Sequence, residues 1–238
     1  MKKVVISQPM FFPWVGMLEQ IKLSDVYIYY DDVQFSKGSF TNRVQIKTAD
    51  GFKWLTVPVN IEFGQTIREV RADERHDWRT KHLAFLEQTY RDAPFVREML
   101  TLVQTVYERP LETIAEISIA STQSLCTYFD LTNTTEFMVS STLNIGGHGS
   151  RRVLDIVRHV AGDIYITGHG AKDYLEHSLF EDHQVRVEYM DYEKRAYPQL
   201  YGSFTPYLSA LDLAANLGRE GRNVITSASI YWREFLNQ

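Results

Sequence analysis

The stretch KKVVISQPMFFPWVGMLEQIKLSDVYIYYDD, residues 2–32, decides the fold. Residues 2–7 contain a continuous β-branched run, typical of a strand buried on both faces. Two prolines then bound a loop, and residues 14–23 have the apolar spacing of a helix. Residues 25–31 are again strand-like. A strand, loop, helix and strand in this order predict a βαβ unit, which is usually right-handed and part of a parallel sheet.

A β-hairpin and a run of helices are predicted next. Residues 43–47 and 53–59 are β-rich and are joined by an Asp-Gly turn, so we predict a hairpin inserted after the first βαβ unit. The pattern then becomes helical in three segments: 78–90, 95–107 and 111–128. We place Pro94 and Pro110 in the first turns of the last two segments, where their missing N–H groups cost nothing.

A second α/β block completes the chain. Strands and helices are predicted to alternate in it: strand 136–139, helix 151–160, strand 163–166, helix 171–177 and strand 185–189. From residue 207 onward we predict helices broken near Gly218 and Gly221. This order predicts an α/β fold with a Rossmann-like, doubly wound parallel sheet, an inserted β-hairpin, and a helical middle and C-terminal part. We expect a single α/β domain over residues 1–238, with 75–130 as a helical subdomain.

Composition and charge narrow the class of protein. The chain has 238 residues and a formal net charge of -5, so it has no global basic surface to attract nucleic acid. One cysteine, Cys126, excludes a disulfide scaffold, and no histidine or cysteine spacing predicts a metal site. No stretch approaches the roughly 20 apolar residues of a membrane span, and the start lacks a signal-peptide cleavage site. We therefore expect a cytoplasmic protein whose partners include neither nucleic acid nor membrane.

The loops after the parallel strands are the first places to look for a site, because ligands of open α/β sheets bind beyond the carboxyl ends of strands. Gln8 opens a loop that leads into the first helix, whose free N–H groups would face an anion; a plain connector stiffened by prolines is the alternative. Asp31 and Asp32 end the second strand and could hold Mg²⁺ or orient a ligand, or form a solvated turn. Neighbouring side chains of an extended chain point opposite ways, so we expect one carboxylate to face the site.

Three further segments carry polar groups suited to chemistry. Asn42, Arg43 and Lys47 lie on the predicted hairpin, where they would either contact phosphates or form its polar outer face. A glycine-rich segment at residues 144–152 holds His148, and a second one, at residues 167–174, holds His169. Either imidazole is a candidate acid–base group near neutral pH, and simple exposure is the alternative for both.

The motif Gln8-Pro9-x-x-Phe12-Pro13-Trp14-x-Gly16 resembles the N-terminal signature of the WbqC-like family. Similar elements follow in order over nearly the whole chain: Asp31-Asp32-Val33-Gln34-Phe35, Asn42-Arg43, Trp54-Leu55-Thr56-Val57-Pro58-Val59, Tyr165 with Gly168, Ala171 with Tyr174, and Tyr197-Pro198-Gln199. Each element alone is weak, whereas their combination is specific. The resemblance favours the functional interpretation of Gln8, Asp32, Asn42 and Arg43, and we expect Gln8, Asp32 and Arg43 to surround one polar hollow.

The resemblance implies an enzyme that forms an amide on an amino sugar of a nucleotide-linked sugar, by aminoacyl transfer (glycine, for example) or acyl transfer, in bacterial surface-polysaccharide (O-antigen) biosynthesis. An acyl or aminoacyl transferase or an ATP-dependent amide ligase would perform this reaction. The sugar amine must be neutral to attack, so we assign Asp32, and next His169, as the group that accepts its proton. The expected substrate-binding residues are Gln8, Phe12, Trp14, Asn42, Arg43, Lys47, His148 and Tyr174.

Cofactors and the alternative function follow from the same reasoning. The residues themselves demand no cofactor; if the acyl donor needs ATP, Mg²⁺ is expected near Asp31 or Asp32. The expected partners are a nucleotide-linked amino sugar and an amino-acid or acyl donor, and a homodimer is compatible with the sequence. Because no nucleophile–base pair stands out, the alternative is a non-catalytic protein that binds a sugar nucleotide or an amino acid and partners a transferase.

Overall fold

A computed structural model describes residues 1–131 and 134–237. Ten strands form in these residues: β1 (Lys3–Ser7), β2 (Val26–Tyr29), β3 (Arg43–Thr48), β4 (Gly51–Thr56), β5 (Val59–Asn60), β6 (Arg71–Ala72), β7 (Glu136–Val139), β8 (Ile164–Thr167), β9 (Arg186–Asp191) and β10 (Ala228–Tyr231). The same residues form eight α-helices: α1 (Val15–Leu23), α2 (Trp78–Tyr90), α3 (Val96–Tyr107), α4 (Ile114–Tyr128), α5 (Gly149–His159), α6 (His177–Asp182), α7 (Ala210–Leu217) and α8 (Trp232–Leu236). None of these helices combines the length and apolar character that crossing a bilayer requires.

The central sheet has six strands in the described residues, in the order β10-β9-β8-β1-β2-β7. All neighbours in it are parallel except β10, which runs antiparallel to β9. Both faces are covered, because side chains that alternate along β1 enter two different cores: Val5 packs in one, and Val4 and Ile6 in the other. This coverage explains the unbroken apolar runs of the strands. The Rossmann-like α/β fold expected from the sequence is confirmed.

The connections reverse direction beside β1. The chain leaves β1 for β2 and later β7 on one side, and then returns to β8 and β9 on the other side. The carboxyl ends of β1 and β8, at Ser7 and Thr167, therefore lie at a topological switch point of the sheet. Loops leaving a switch point diverge and leave a crevice between them, where ligands of this fold class bind.

The inserted hairpin and the middle helices form where the sequence predicts them. Strands β3 and β4 pair antiparallel from Arg43–Thr56 to Thr48–Gly51. Helix α4 begins later than expected, because Thr113 and Glu116 form a capping box that fixes its first turn. Pro110 therefore precedes the helix, and placing it in the first turn was wrong.

The C-terminal part departs furthest from the sequence prediction. Helix α7 ends at Leu217 and a 3₁₀ helix follows, but the chain then forms the edge strand β10 before the short helix α8. Residues 228–231 are too few to show a period, and they become a strand by pairing with β9. The helix predicted over 171–177 is a 3₁₀ helix at His169–Asp173, followed by α6.

Candidate functional site

A cavity of about 900 Å³ opens beyond the carboxyl ends of the parallel strands. Its walls come from the loops after β1, β2, β8 and β9 and from the start of α5. Six of the residues predicted as site residues line it: Gln8, Trp14, Asp32, His148, His169 and Tyr174. The cavity thus occupies the switch-point crevice, and its volume suits a ligand of nucleotide-sugar size.

Asp32 forms an ion pair with Arg152 on the cavity wall. Arg152 Nη2 donates to Asp32 Oδ2 at 2.5 Å, and Ser140 Oγ donates to Asp32 Oδ1 at 2.6 Å. Partial burial alone would raise the pKa of Asp32, but the hydrogen bond from Ser140 and the pairing with Arg152 outweigh it and hold the pKa below its usual value. A carboxylate held in its charged form is a weak proton acceptor, so this environment favours a structural and electrostatic role over that of a base.

Arg152 links that carboxylate to the glycine-rich loop. Its Nε donates to the carbonyl oxygen of Ile145 at 3.0 Å, and its guanidinium carbon lies 5.0 Å from the ring centroid of Tyr30. The side chain of Arg152 is only 8% exposed, yet the residue contributes to the cavity lining. The ion pair therefore holds the glycine loop against the end of β2.

Asp31 points away from the cavity, as expected for neighbours on an extended chain. Its Oδ1 accepts hydrogen bonds from Ser140 Oγ at 3.1 Å and from the backbone N–H of Ser141 at 3.0 Å. Its Oδ2 accepts one from Ser141 Oγ at 2.8 Å. Asp31 therefore ties the end of β2 to the turn after β7, and Asp32 is the member of the pair that faces the cavity.

The two carboxylates do not fit an Mg²⁺ site. Asp31 is occupied by donors from Ser140 and Ser141, and Asp32 is in direct contact with a guanidinium. Elsewhere in the described ranges, no group of three or more His, Cys, Asp or Glu side chains is arranged to hold a metal ion. We therefore derive no step that uses a metal at this position.

The start of α5 faces the cavity. His148 occupies the N-cap position without a capping hydrogen bond from its side chain, and Gly147, Gly149 and Ser150 line the cavity beside it. The first N–H groups of a helix have no intrahelical partners and carry the positive end of the helix dipole. Together with Arg152, this end of the cavity is suited to a phosphate or another anion.

His169 is the cavity imidazole best placed to accept a proton. Its Nε2 lies 2.6 Å from the carbonyl oxygen of Met190, which can only accept, so Nε2 carries the hydrogen and Nδ1 keeps the lone pair in the neutral ring. Contacts with Tyr192 and Phe235, at ring-centroid distances of 5.1 and 4.8 Å, hold the ring in place. His169 thus has the fixed tautomer that general base catalysis requires.

Three aromatic rings of the cavity lining, those of Trp14, Tyr192 and Tyr207, pack together and form an aromatic wall. The ring centroid of Trp14 lies 5.0 Å from that of Tyr192 and 5.4 Å from that of Tyr207. Gln20 Nε2 donates to Tyr192 Oη at 2.6 Å, and Lys194 Nζ lies 5.3 Å from the centroid of Tyr207. These rings present flat, partly polar surfaces to a ligand, and Lys194 adds a second cation.

Gly16 is required by this wall. A Cβ added at Gly16 would overlap the indole ring of Trp14, so only glycine lets the ring fold back over the first turn of α1. The group that approaches this glycine closely is the side chain of Trp14.

Four predicted binding residues lie outside the cavity lining: Phe12, Asn42, Arg43 and Lys47. Phe12 is fully buried and packs against Phe11 with ring centroids 4.9 Å apart. Asn42 is buried on the hairpin, and its Nδ2 donates to the carbonyl oxygen of Val57 at 3.0 Å. Their side chains are thus used in packing and in holding the hairpin.

The side chains of Arg43 and Lys47 contact different parts of the protein. The guanidinium of Arg43 stacks 4.1 Å from the ring centroid of Trp54, so our expectation that it joins Gln8 and Asp32 in one hollow is wrong. Lys47 Nζ donates to Gln199 Oε1 at 3.0 Å and also to the carbonyl oxygen of Ser203. Lys47 therefore anchors residues 192–207, the segment that carries part of the aromatic wall.

The residues that sequence reasoning missed are Arg152, Tyr192, Lys194 and Tyr207. Tyr192 and Lys194 follow the carboxyl end of β9, so applying the strand-end rule to that strand would have found them. Arg152 stands in the glycine-loop motif, but its partner Asp32 is 120 residues away. Tyr207 reaches the wall only because the segment folds back, and no local pattern signals that.

Comparison with known proteins assigns the chain to a family. The model of the WbqC-like protein family matches residues 8–224. The chain belongs to the WbqC-like family. This WbqC-like protein is 33% identical over 224 residues to "Uncharacterized protein Rv1507c" of Mycobacterium tuberculosis, an alignment that covers 92% of this chain and 96% of that relative. No solved structure matches the chain.

Proposed function

We propose that this WbqC-like protein forms an amide on the amino group of a nucleotide-linked sugar, by transfer of an aminoacyl group such as glycyl, or of an acyl group, in surface-polysaccharide biosynthesis. One observation carries the proposal: a single cavity combines an anion-binding helix start, an aromatic wall and an imidazole of fixed tautomer. A cytoplasmic location, which the single cysteine favours, belongs to the same proposal.

The diphosphate of the sugar nucleotide would lie at the start of α5. Arg152 and the N–H groups after His148 supply positive charge there, and Gly147 and Gly149 leave the backbone open to close approach. Asp32 compensates part of the charge of Arg152 and keeps it in position. In this arrangement Asp32 is a positioning residue, which differs from its first assignment as the base.

The sugar and the acyl donor would lie beside His169 and the aromatic wall, whose Tyr192 ring contacts the imidazole. Trp14 and Tyr207 offer surfaces on which a sugar ring or a nucleobase can stack. Gln8 lines the same space, and its side chain has no hydrogen-bond partner in the described part of the chain, so its amide is free to contact a ligand. Tyr174, 70% exposed, provides a further ring at the cavity edge.

The reaction would use His169 as the proton acceptor. The neutral sugar amine attacks the acyl carbon, and the C–N bond forms as the bond to the donor's leaving group breaks. The proton lost from the amine nitrogen passes to Nδ1 of His169, while Nε2–H stays bonded to the Met190 carbonyl. The step needs an activated donor, either a thioester or an acyl phosphate, which a separate reaction must supply.

The alternative is a binding protein that partners a transferase without catalysis. The described cavity residues support it in one respect: Asp32 is neutralised by Arg152, and Ser150 Oγ accepts a hydrogen bond from the N–H of Glu176 at 3.0 Å. Neither group is therefore activated as a nucleophile. The two functions predict equal ligand binding and differ only in whether product forms.

His169→Gln tests the proposal. Glutamine can still donate to the Met190 carbonyl but cannot take up a proton. We expect turnover of a nucleotide-linked amino sugar with glycyl or acyl thioesters, followed by mass spectrometry of the amide, to fall about 100-fold or more. Calorimetry should show sugar-nucleotide affinity within about threefold of the unsubstituted protein.

The matched control is His159→Gln, because His159 lies in the last turn of α5, outside the cavity lining. That variant should retain full activity. Binding of the sugar nucleotide with no amide from any donor would favour the non-catalytic alternative. Unchanged turnover in His169→Gln would remove His169 from the mechanism.

A further inference from the structure

The β3–β4 hairpin and the loops on either side of it carry a concentration of exposed, mostly aromatic, apolar side chains. Among the described residues, ten large hydrophobic side chains are exposed, and five of them lie in residues 40–63: Phe40, Phe52, Trp54, Ile61 and Phe63. Contiguous apolar surface of this kind marks an interaction site. We propose that this surface docks the protein on an anionic lipid bilayer.

The centre of the surface is a connected cluster, which we call the hairpin patch: Phe40, Arg43, Phe52 and Trp54. The ring centroid of Trp54 lies 5.8 Å from that of Phe40 and 6.2 Å from that of Phe52. Phe52 and Trp54 are two positions apart on β4 and so share one face of the hairpin. They are 53% and 38% exposed, so both rings are open to solvent.

The charge of the segment selects an anionic partner. Residues 36–64 contain Lys37, Arg43, Lys47 and Lys53 against Asp50 and Glu62, a net charge of +2, so the rest of the chain carries -7. Lys37, which adjoins Arg43 through Gly38, and Arg43 itself form no ion pair with a carboxylate of the described residues. Lys53 pairs with Ile46 across the hairpin and therefore lies on the face opposite to Phe52 and Trp54. Aromatic side chains beside unpaired cations are the combination that binds the interface of an anionic leaflet.

A second copy of the chain and a nucleic acid fit this surface less well than a bilayer does. A symmetric contact with a second copy would place the positive segment against itself, because the same patch meets on both subunits. A nucleic acid needs a continuous basic track, whereas the remainder of this chain is strongly acidic. A bilayer needs only the local patch. The sequence-based expectation of no membrane partner considered spanning segments and the charge of the whole chain, and neither reports on a local surface.

The test is sedimentation of the full chain with vesicles. We expect it to bind vesicles that contain phosphatidylglycerol, to stay in solution with pure phosphatidylcholine vesicles, and to dissociate as salt rises from about 0.1 to about 0.5 M. With brominated phosphatidylglycerol vesicles, tryptophan fluorescence should be quenched, and Trp54→Phe should lose most of that quenching while it still binds.

Two variants with matched controls locate the contact. Phe52→Ser and Lys37→Glu, the latter at an exposed lysine beside Arg43, should each weaken vesicle binding about tenfold. Leu236→Ser, at a side chain of similar exposure, and Lys81→Glu, at an exposed lysine of α2, should bind within about twofold of the unsubstituted chain. All four positions are exposed, and circular dichroism verifies that each variant is folded.

Three results would overturn the proposal. The first is a chain that stays in solution with the anionic vesicles at low salt. The second is equal binding by the patch variants and their controls. The third is a patch-dependent dimer, or patch-dependent binding of single-stranded nucleic acid, in the absence of vesicle binding.

Discussion

The ion pair between Asp32 and Arg152 offers the sharpest test of how the cavity is built. We predict that Asp32→Asn and Arg152→Gln each destabilise the fold and loosen the glycine loop, because Arg152 connects Asp32 to the Ile145 carbonyl. The double variant should be less destabilised than the sum of the two single variants. Asp32→Asn preserves the size of the side chain, whereas Arg152→Gln also removes the hydrogen bond to the Ile145 carbonyl. That loss is common to the Arg152 single variant and the double variant and cancels in the cycle, which leaves the interaction between the two side chains.

The expected coupling free energy follows from the distance between the charges of Asp32 and Arg152 and from the burial of their side chains. Two unit charges about 4 Å apart attract by about 4 kcal/mol at an effective dielectric constant of about 20. The side chains of Arg152 and Asp32 are 8% and 19% exposed, so the loss of hydration offsets a large part of this attraction. We expect a net coupling of about 1–3 kcal/mol, and a loss of about 2–4 kcal/mol in each single variant, which leaves one buried charge unpaired.

Urea unfolding at several pH values measures the coupling and its pH dependence. The pKa of Asp32 is lowered in the folded chain, so the stability from its charge is fully present above the unfolded value of about 3.9. That contribution is lost as pH falls through the lower folded pKa. The coupling should therefore be constant between about pH 8 and pH 5 and decline only below about pH 4.

A coupling below about 0.3 kcal/mol at pH 7 would refute this reasoning, because independent sites add to within that margin. A coupling that already declines between pH 7 and pH 5 would refute the lowered pKa. Hydrogen exchange at residues 144–149 supplies the structural readout: faster exchange is expected in both single variants, and unchanged exchange would separate the ion pair from the loop.

Three further perturbations address the wall, the segment behind it and one buried carboxyl group. Gly16→Ala should cost about 1–3 kcal/mol and change the near-ultraviolet circular dichroism of Trp14, since the methyl group overlaps the indole. Lys47→Met should remove the hydrogen bonds to Gln199 Oε1 and the Ser203 carbonyl oxygen, lower stability by about 1–3 kcal/mol and speed proteolysis within residues 192–207. Burial raises the pKa of Asp212 to about 6, so folding stability should fall by about 2–3 kcal/mol as pH rises from about 4 to about 6, and Asp212→Asn should flatten that slope in urea titrations.

Short-range patterns in the sequence were sufficient to predict the fold class and several of the residues that line the cavity. The β-branched run of β1, the apolar run of β2 and the loop between them predict a parallel sheet, since only a covered sheet needs strands that are apolar throughout. The strand-end rule then predicts Gln8, Asp32, His148 and His169 at one edge, and all four line the cavity. These features depend on neighbours in the chain, which a sequence displays directly.

Only the tertiary structure decided what the charged side chains meet. Arg43 and Lys47 share one strand, yet Arg43 stacks on Trp54, and Lys47 reaches Gln199, 152 positions away. Asp32 looks like a free base in the sequence and becomes the partner of Arg152 when α5 packs beside β2. Residues that are distant in the chain and meet only after folding produce no periodic pattern or fixed spacing in the sequence. The proposed base, the proposed anion-binding groups and the proposed docking surface can therefore be distinguished only in three dimensions.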